Sequence, residues 1–294
     1  MGLTAEDIDG DGDLDVFKTN FDMEPNSLTS MMGRASSPTR RRSSGLAAPS
    51  LDKLGWACVF LDADNDGDFD LLVANGHVYP QSQQIHMGPW LQQTQLYEAV
   101  RGAGGALVYR DATASAGPGL APARSSRGLA VADVDDDGML DAVVIDLDGP
   151  PRLLHNESDP KGHFLTIGLV GKASNRDGYG AKVTLYAGGR KWFRESRAAD
   201  GLYGSNDPRL HFGFGDLHAI DRVEILWPSG VKQIYILPNY RSISNDPRTV
   251  NVLLINPPQA QPPAAPRPSI ARGLPAPRRS RKCGDDRREH RVLR

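Results

Sequence analysis

An all-β chain is what this sequence predicts: an open partial β-propeller of about three blades, then a small antiparallel β domain, then a disordered tail. Three observations carry that expectation. A nine-residue acidic loop occurs three times between apolar segments, as DIDGDGDLD over 7–15, DADNDGDFD over 62–70 and DVDDDGMLD over 133–141. Six segments between 163 and 238 alternate apolar with polar residues. The composition, with 31 Gly and 22 Pro among 294 residues, supplies the turns that many short strands require.

The three loops fit one pattern, D-x-D-x-D-G-x-x-D, and their flanks agree as well. GLTAE, ACVFL and GLAVA precede them; DVFKTN, DLLVAN and DAVVID close them, with Asn20, Asn75 and Asp146 five positions past the last loop acid. Shared flanks make these repeats of one structural unit. Their starts lie 55 and then 71 residues apart, the size of a propeller blade with connections of variable length. Further strands are expected at 95–100, 106–112 and 151–156. The Ser/Arg-rich interval 25–50 lacks any alternating pattern, so it is expected to be a disordered insertion or frame-shifted sequence. β-Propellers close with about 4–8 blades. Three blades, with the first loop so near Met1, therefore read as the C-terminal portion of a longer protein whose sheet faces are left open.

From about Lys161 the acidic repeat stops. HFLTIGLVG, AKVTLYAGG, RKWFRESRA, RLHFGFG, DRVEILW and KQIYILP are strands of a sheet with one buried face, with hairpin turns at Gly188-Gly189 and 228–230. The expected domains are 1–157, 158–256 and a Pro/Arg-rich tail over 257–294. That tail carries ten Lys/Arg against three Asp/Glu, whereas the rest of the chain carries 24 against 33. An acidic body with a basic solvated tail argues against nucleic acid as a partner. No apolar run reaches the roughly 18 residues of a membrane span. The first residues turn acidic at once and do not form a secretory signal. Two cysteines give neither a disulfide framework nor a metal spacing; Cys58, inside WACVFL, is expected in the core.

Acids at alternate positions of a tight loop aim several oxygens at one point, and the glycine at position 6 allows the turn. Hard oxygen ligands at this density suit Ca²⁺, which takes about 6–8 of them. Positions 1, 3, 5 and 9 would supply carboxylates: Asp7, Asp9, Asp11 and Asp15; Asp62, Asp64, Asp66 and Asp70; Asp133, Asp135, Asp137 and Asp141. Position 7 would supply a backbone carbonyl, from Asp13, Asp68 and Met139. An EF-hand would need a Glu at position 12 and flanking helices; Lys18, Val73 and Val144 stand there, between strands. Up to three structural Ca²⁺ ions are expected, each pinning one turn.

The three loops with their strand flanks resemble FG-GAP/VCBS repeats, the blades of integrin-α-like propellers. The segment with NRD, GAKVTL, AGGR, DPRLHFGFG and RVEILWPSG in that order looks like an ASPIC/UnbV domain, which follows such repeats in CRTAC-type proteins. The resemblance implies an exported protein, extracellular or periplasmic, that binds or adheres and carries no defined chemistry.

No nucleophile elbow, zinc-protease helix or phosphate loop is present. Histidines stand at 77, 86, 155, 163, 211, 218 and 290. His211 is expected on an exposed strand face, and Asn156 opens a glycosylation sequon. The favoured function is a non-catalytic, calcium-stabilised module recognising a protein or a glycan. The alternative is a hydrolase whose metal-assisted site pairs an acidic loop with His77.

Overall fold

The structure, a computed structural model, describes residues 1–32, 35–36, 44–102, 106–159, 162–236 and 251–255. Its first half is three sheets in series. β1 (Leu3–Glu6), β2 (Asp15–Lys18) and β3 (Ser27–Thr29) make the first, followed by a two-residue pair, β4 (Met31–Met32) and β5 (Ala35–Ser36), and a one-turn helix, α1 (Ala47–Ser50). β6 (Gly55–Leu61), β7 (Asp70–Asn75), β8 (Gln95–Arg101) and β9 (Leu107–Asp111) make the second. β10 (Ser126–Ala132), β11 (Asp141–Asp146) and β12 (Arg152–Leu154) make the third. Each is an antiparallel meander in chain order, and the first strands β1, β6 and β10 lie side by side, as the inner strands of successive blades do.

The middle sheet is covered on both faces, which explains why GWACVFL and DLLVAN are unbroken apolar runs. Successive side chains of a strand point to opposite faces. Cys58, Phe60, Leu71 and Val73 pack with Phe17, Leu28 and Tyr97 towards the first sheet. Val59, Leu61, Leu72 and Ala74 pack with Leu129, Val131 and Val144 towards the third. All six residues of β7 are buried. Cys58 is a core thiol, as expected, and burial pushes its pKa up.

The second half is two facing sheets. β13 (Phe164–Val170), β14 (Lys182–Ala187), β15 (Arg190–Glu195), β16 (Leu210–Gly213), β17 (Arg222–Leu226), β18 (Lys232–Ile236) and β19 (Asn251–Ile255) assemble as β16-β13-β19 and β15-β14-β17-β18. Leu165, Ile167, Val183, Leu185, Phe212 and Trp227 fill the space between them. The expectation of a purely antiparallel domain is corrected at one place, because β19 runs parallel to β13. Gly188 and Gly189 both hold positive φ (55° and 79°) and join β14 to β15 in a two-residue turn of the type whose twist suits a hairpin.

Two further findings concern the expected boundaries. The interval 25–50 is not wholly an insertion: Leu28 and Leu46 are core residues, and the Ser50 hydroxyl accepts from Asn26 N at 2.9 Å. A three-residue strand such as β3 is too short to register an alternation. Residues 33–34 and 37–43 of that interval, like the tail beyond Ile255, lie outside the described residues. Met1–Pro258 form one compact unit, so the boundary expected at 157 divides two packed halves.

Candidate metal centres

Each acidic loop joins the first two strands of its sheet in the same register. The residue before the loop pairs with its last acid: Glu6 with Asp15, Leu61 with Asp70, Ala132 with Asp141. Inside, carboxylates fold onto backbone amides. The first acid accepts from the position-6 glycine at 3.0 Å in all three loops, Gly12 to Asp7, Gly67 to Asp62 and Gly138 to Asp133. The position-5 acids Asp11, Asp66 and Asp137 each accept from the N–H of position 7 at 2.8 Å. The turn needs left-handed backbone twice. Position 4 holds it as Gly10 (80°), Asn65 (63°) and Asp136 (59°), residue types that tolerate that region. Position 6 holds it as Gly12 (102°), Gly67 (91°) and Gly138 (86°).

These bonds bring together Asp7, Asp9 and Asp11; Asp62, Asp64 and Asp66; and Asp133, Asp135 and Asp137, with one carboxylate oxygen from each acid within 4.8 Å of the others in its set. At that spacing each like-charged pair repels by about 1 kcal/mol in water and about 3.5 kcal/mol at an effective dielectric near 20. Asp62 is 2% exposed and its Oδ1 has no hydrogen-bond partner among the described residues. Burial raises Asp62 well above the ordinary carboxylate range, and it raises Asp7 and Asp133 as well. An all-oxygen donor set with an orphaned buried carboxylate oxygen fits a hard divalent cation such as Ca²⁺.

The last acids behave differently. Asp15, Asp70 and Asp141 give both oxygens to backbone N–H groups, one to position 2 of their own loop and the other to Met31, Ala99 and Asn156 respectively. They tie each loop to the third strand or to the residues beside it. Burial raises Asp15 to about 6 and Asp70 to about 7. At position 7, Asp68 spends its side chain on Arg101 (2.8 Å), Met139 is buried and Asp13 occupies the same place in the first loop.

Residues of the second half lie directly on the loops. Lys191 Nζ donates to Asp11 O (3.4 Å) in the first loop, and Trp192 Nε1 donates to Gly67 O (3.1 Å) in the second. His211 Nε2 meets Asn65 Oδ1 at 2.7 Å, and Gly215 N donates to Asn65 O at 3.0 Å. Arg209 reaches the third loop through Asp133 O (2.9 Å) and Asp136 Oδ1 (2.7 Å). Arg194, 6% exposed, stacks its guanidinium on Phe69 at 3.8 Å, within the field of Glu6, Asp62 and Asp7. Burial lifts Glu6 to about 7, and Arg197 beside it at 3.3 Å pulls the other way. A cavity of about 100 Å³ remains among Glu6, Asp62, Arg194 and Arg209. The free edge of β10 is covered too: Asp207 N donates to Val131 O and Asn206 Oδ1 accepts from Val131 N.

His211 is therefore partly buried at this contact, not exposed. His77 is fully buried and stands past the far end of β7 from the second loop, so it and the loop acids are separated by the six residues of that strand, about 20 Å at 3.3 Å each. The histidine that does meet a loop acid is His155, whose Nδ1 is 2.9 Å from Asp141 Oδ1. Asn156 donates its side-chain amide to Ala63 O at 2.8 Å, so the sequon amide is spent within the fold. Sequence reasoning missed Trp192, Arg194 and Arg209 as partners of the loops. One signal was present: Arg194 falls on the inward face of β15, two residues after Trp192.

The family model described as ASPIC and UnbV matches residues 171–242, well under half of the chain. That segment is an ASPIC/UnbV domain. No curated protein matches the chain. The matched segment spans β14 to β18 and contains Lys191, Trp192, Arg194, Arg209 and His211, so these second-half side chains on the loops belong to the ASPIC/UnbV domain.

Proposed function

We propose that residues 1–157 are FG-GAP/VCBS-type repeats of an integrin-α-like propeller, that their loops bind Ca²⁺ as a structural ion, and that the chain is a non-catalytic binding or adhesion module acting outside the cytoplasm. The observation that carries this reading is threefold convergence: nine carboxylates gathered in three equivalent turns, with Asp62 Oδ1 left without a partner. The residues that would hold the ion are the acids at positions 1, 3 and 5, joined by the position-7 carbonyl. The ion would supply positive charge against their repulsion and would fix the strand turn in register.

A partner, protein or glycan, has the other end of the sheets to use, because the ASPIC/UnbV domain occupies the loop end. There the connection between β7 and β8 exposes Tyr79, Ile85 and Leu91. Calcium in excess over chelator should raise the melting temperature. A single site at 100-fold over its Kd adds about 2.7 kcal/mol, some 5–10 °C for a unit of this size. Identical melting in EDTA and in millimolar calcium refutes the structural-ion reading.

The hydrolase alternative rests on His155, the histidine beside a loop acid. Turnover of a phosphoester or glycoside that is lost in His155→Ala would establish it. A silent screen removes it.

A further inference from the structure

Each acidic loop closes one strand pair, yet all three end against the same neighbour. We propose that the ASPIC/UnbV domain docks by reading the ion-loaded shape of the acidic loops, so that cation binding controls its attachment to the three sheets. This rests on the calcium reading above and extends it from holding strands to joining halves.

The contacts are to loop backbone, which is what makes them sensitive to shape. Trp192 donates to Gly67 O, Lys191 to Asp11 O, Arg209 to Asp133 O, and Gly215 N to Asn65 O. The side chains that are engaged belong to position 4, Asn65 by His211 and Asp136 by Arg209, which the convergent sets leave out. None of these bonds uses a carboxylate from a convergent set. Glycines set the fit: a Cβ on Gly67 would lie 2.7 Å from Trp192 Nε1, one on Gly138 would lie 1.8 Å from the Phe164 ring, and one on Gly213 would lie 2.0 Å from Asp62 Oδ2. The second and third loops also lean on each other, through Asn65 Nδ2 to Gly138 O at 3.0 Å, so opening either disturbs both contact surfaces.

Charge alone gives the opposite expectation. Loops without a cation carry more negative charge and would attract Lys191, Arg194 and Arg209 more strongly. Shape decides here, because repelling acids within 4.8 Å let the turn open and carry Gly67 O and Asp133 O away from their donors. Asp62 lies against Gly213 through Oδ2, and its buried Oδ1 has no hydrogen-bond partner among the described residues, which points to a cation at this contact. Linkage then requires that docking tighten cation binding by the same factor by which the cation favours docking.

The test uses the full chain. Calcium binding to chelator-stripped protein is followed by calorimetry while intrinsic fluorescence is recorded in parallel. Trp192→Phe identifies the part of the signal that belongs to Trp192 among the four tryptophans. Stripping should shift the Trp192 component to longer wavelength, and calcium should restore it along the binding isotherm. Arg209→Gln, which leaves Trp192 and every convergent acid in place, should raise the calcium concentration at the midpoint about fivefold or more. Calcium binding with an unmoved Trp192 signal, or an unchanged midpoint in Arg209→Gln, overturns ion-controlled docking and leaves the structural-ion reading standing. An absence of calcium binding overturns both.

Discussion

In each acidic loop the fourth and sixth residues hold left-handed backbone, and the two positions are legible to different degrees. Position 6 is glycine three times, so its role is plain from sequence. Position 4 is Gly10, Asn65 and Asp136, which share only a tolerance for positive φ, and so it looks variable until the backbone is seen. Substitution should separate local strain from fit. A Cβ on Gly12 would meet Lys191 Nζ at 3.8 Å, an ordinary contact, whereas one on Gly67 would meet Trp192 Nε1 at 2.7 Å. Gly12→Ala should cost about 1 kcal/mol, and Gly67→Ala about 2–4 kcal/mol, measured by thermal melting in calcium. Equal losses would mean that the Trp192 contact does not constrain the loop. His211 offers a second residue-level test. Its ring stacks on Phe164, Nδ1 faces the Thr166 hydroxyl at 3.4 Å and Nε2 faces Asn65, while burial first, then Arg194 and Arg209, lowers its pKa to about 3. The unfolded chain takes up this proton near pH 6.5 and the folded chain does not. Stability should therefore fall as pH drops from about 6.5 towards 3, with no contribution at pH 8. His211→Gln should flatten the melting temperature between pH 7 and pH 5; parallel slopes in the two proteins would exclude the effect.

At the scale of elements, the pattern of a strand followed how many of its faces are covered. β14 and β15 alternate because one face meets the other sheet of their half, and the alternating segments marked from the sequence each contain a strand. β6 and β7 do not alternate because both faces are buried, and they were recognised through the loop they flank. Short elements carried no such mark: β3 has three residues, and the parallel strand β19 was not separated from the polar segment around it. The polar residue five positions past each loop, visible as a repeat feature, has a definite task. Asn20 Nδ2 donates to Ser27 Oγ, Asn75 Nδ2 to Gln95 Oε1, and Arg152 Nε to Asp146 Oδ2, so each second strand is tied to the first residue of the third. Asn75→Ala strips two bonds from a fully buried position. It should lower stability by about 1–3 kcal/mol in a denaturant titration; a change under 0.5 kcal/mol would show the tie to be dispensable.

For the molecule as a whole, the two halves were each legible and their contact was not. The contact joins residue 67 to 192, 65 to 211 and 136 to 209, pairs with no periodicity to link them, and it is written mostly in backbone oxygens that every residue possesses. The inner edge of β10 is met by Asn206 and Asp207, a contact that nothing in the sequence pattern marks. A chain ending at residue 159 should uncover that edge together with the loop surface. It should melt lower than the chain through 258 in the same calcium buffer and associate in analytical ultracentrifugation; a monomer with unchanged melting would refute the dependence.

The shared closing register has a consequence for how such a chain can change length. Glu6–Asp15, Leu61–Asp70 and Ala132–Asp141 are superposable rungs, while the stretches between one loop and the next differ by sixteen residues. Growth by insertion has been absorbed entirely at the other connections. A single residue added between Asp62 and Asp70 would turn β7 over, exchanging the side chains that meet the first sheet for those that meet the third. The nine-residue unit thus behaves as an indivisible word: copied whole, spaced freely, and intolerant of one added letter.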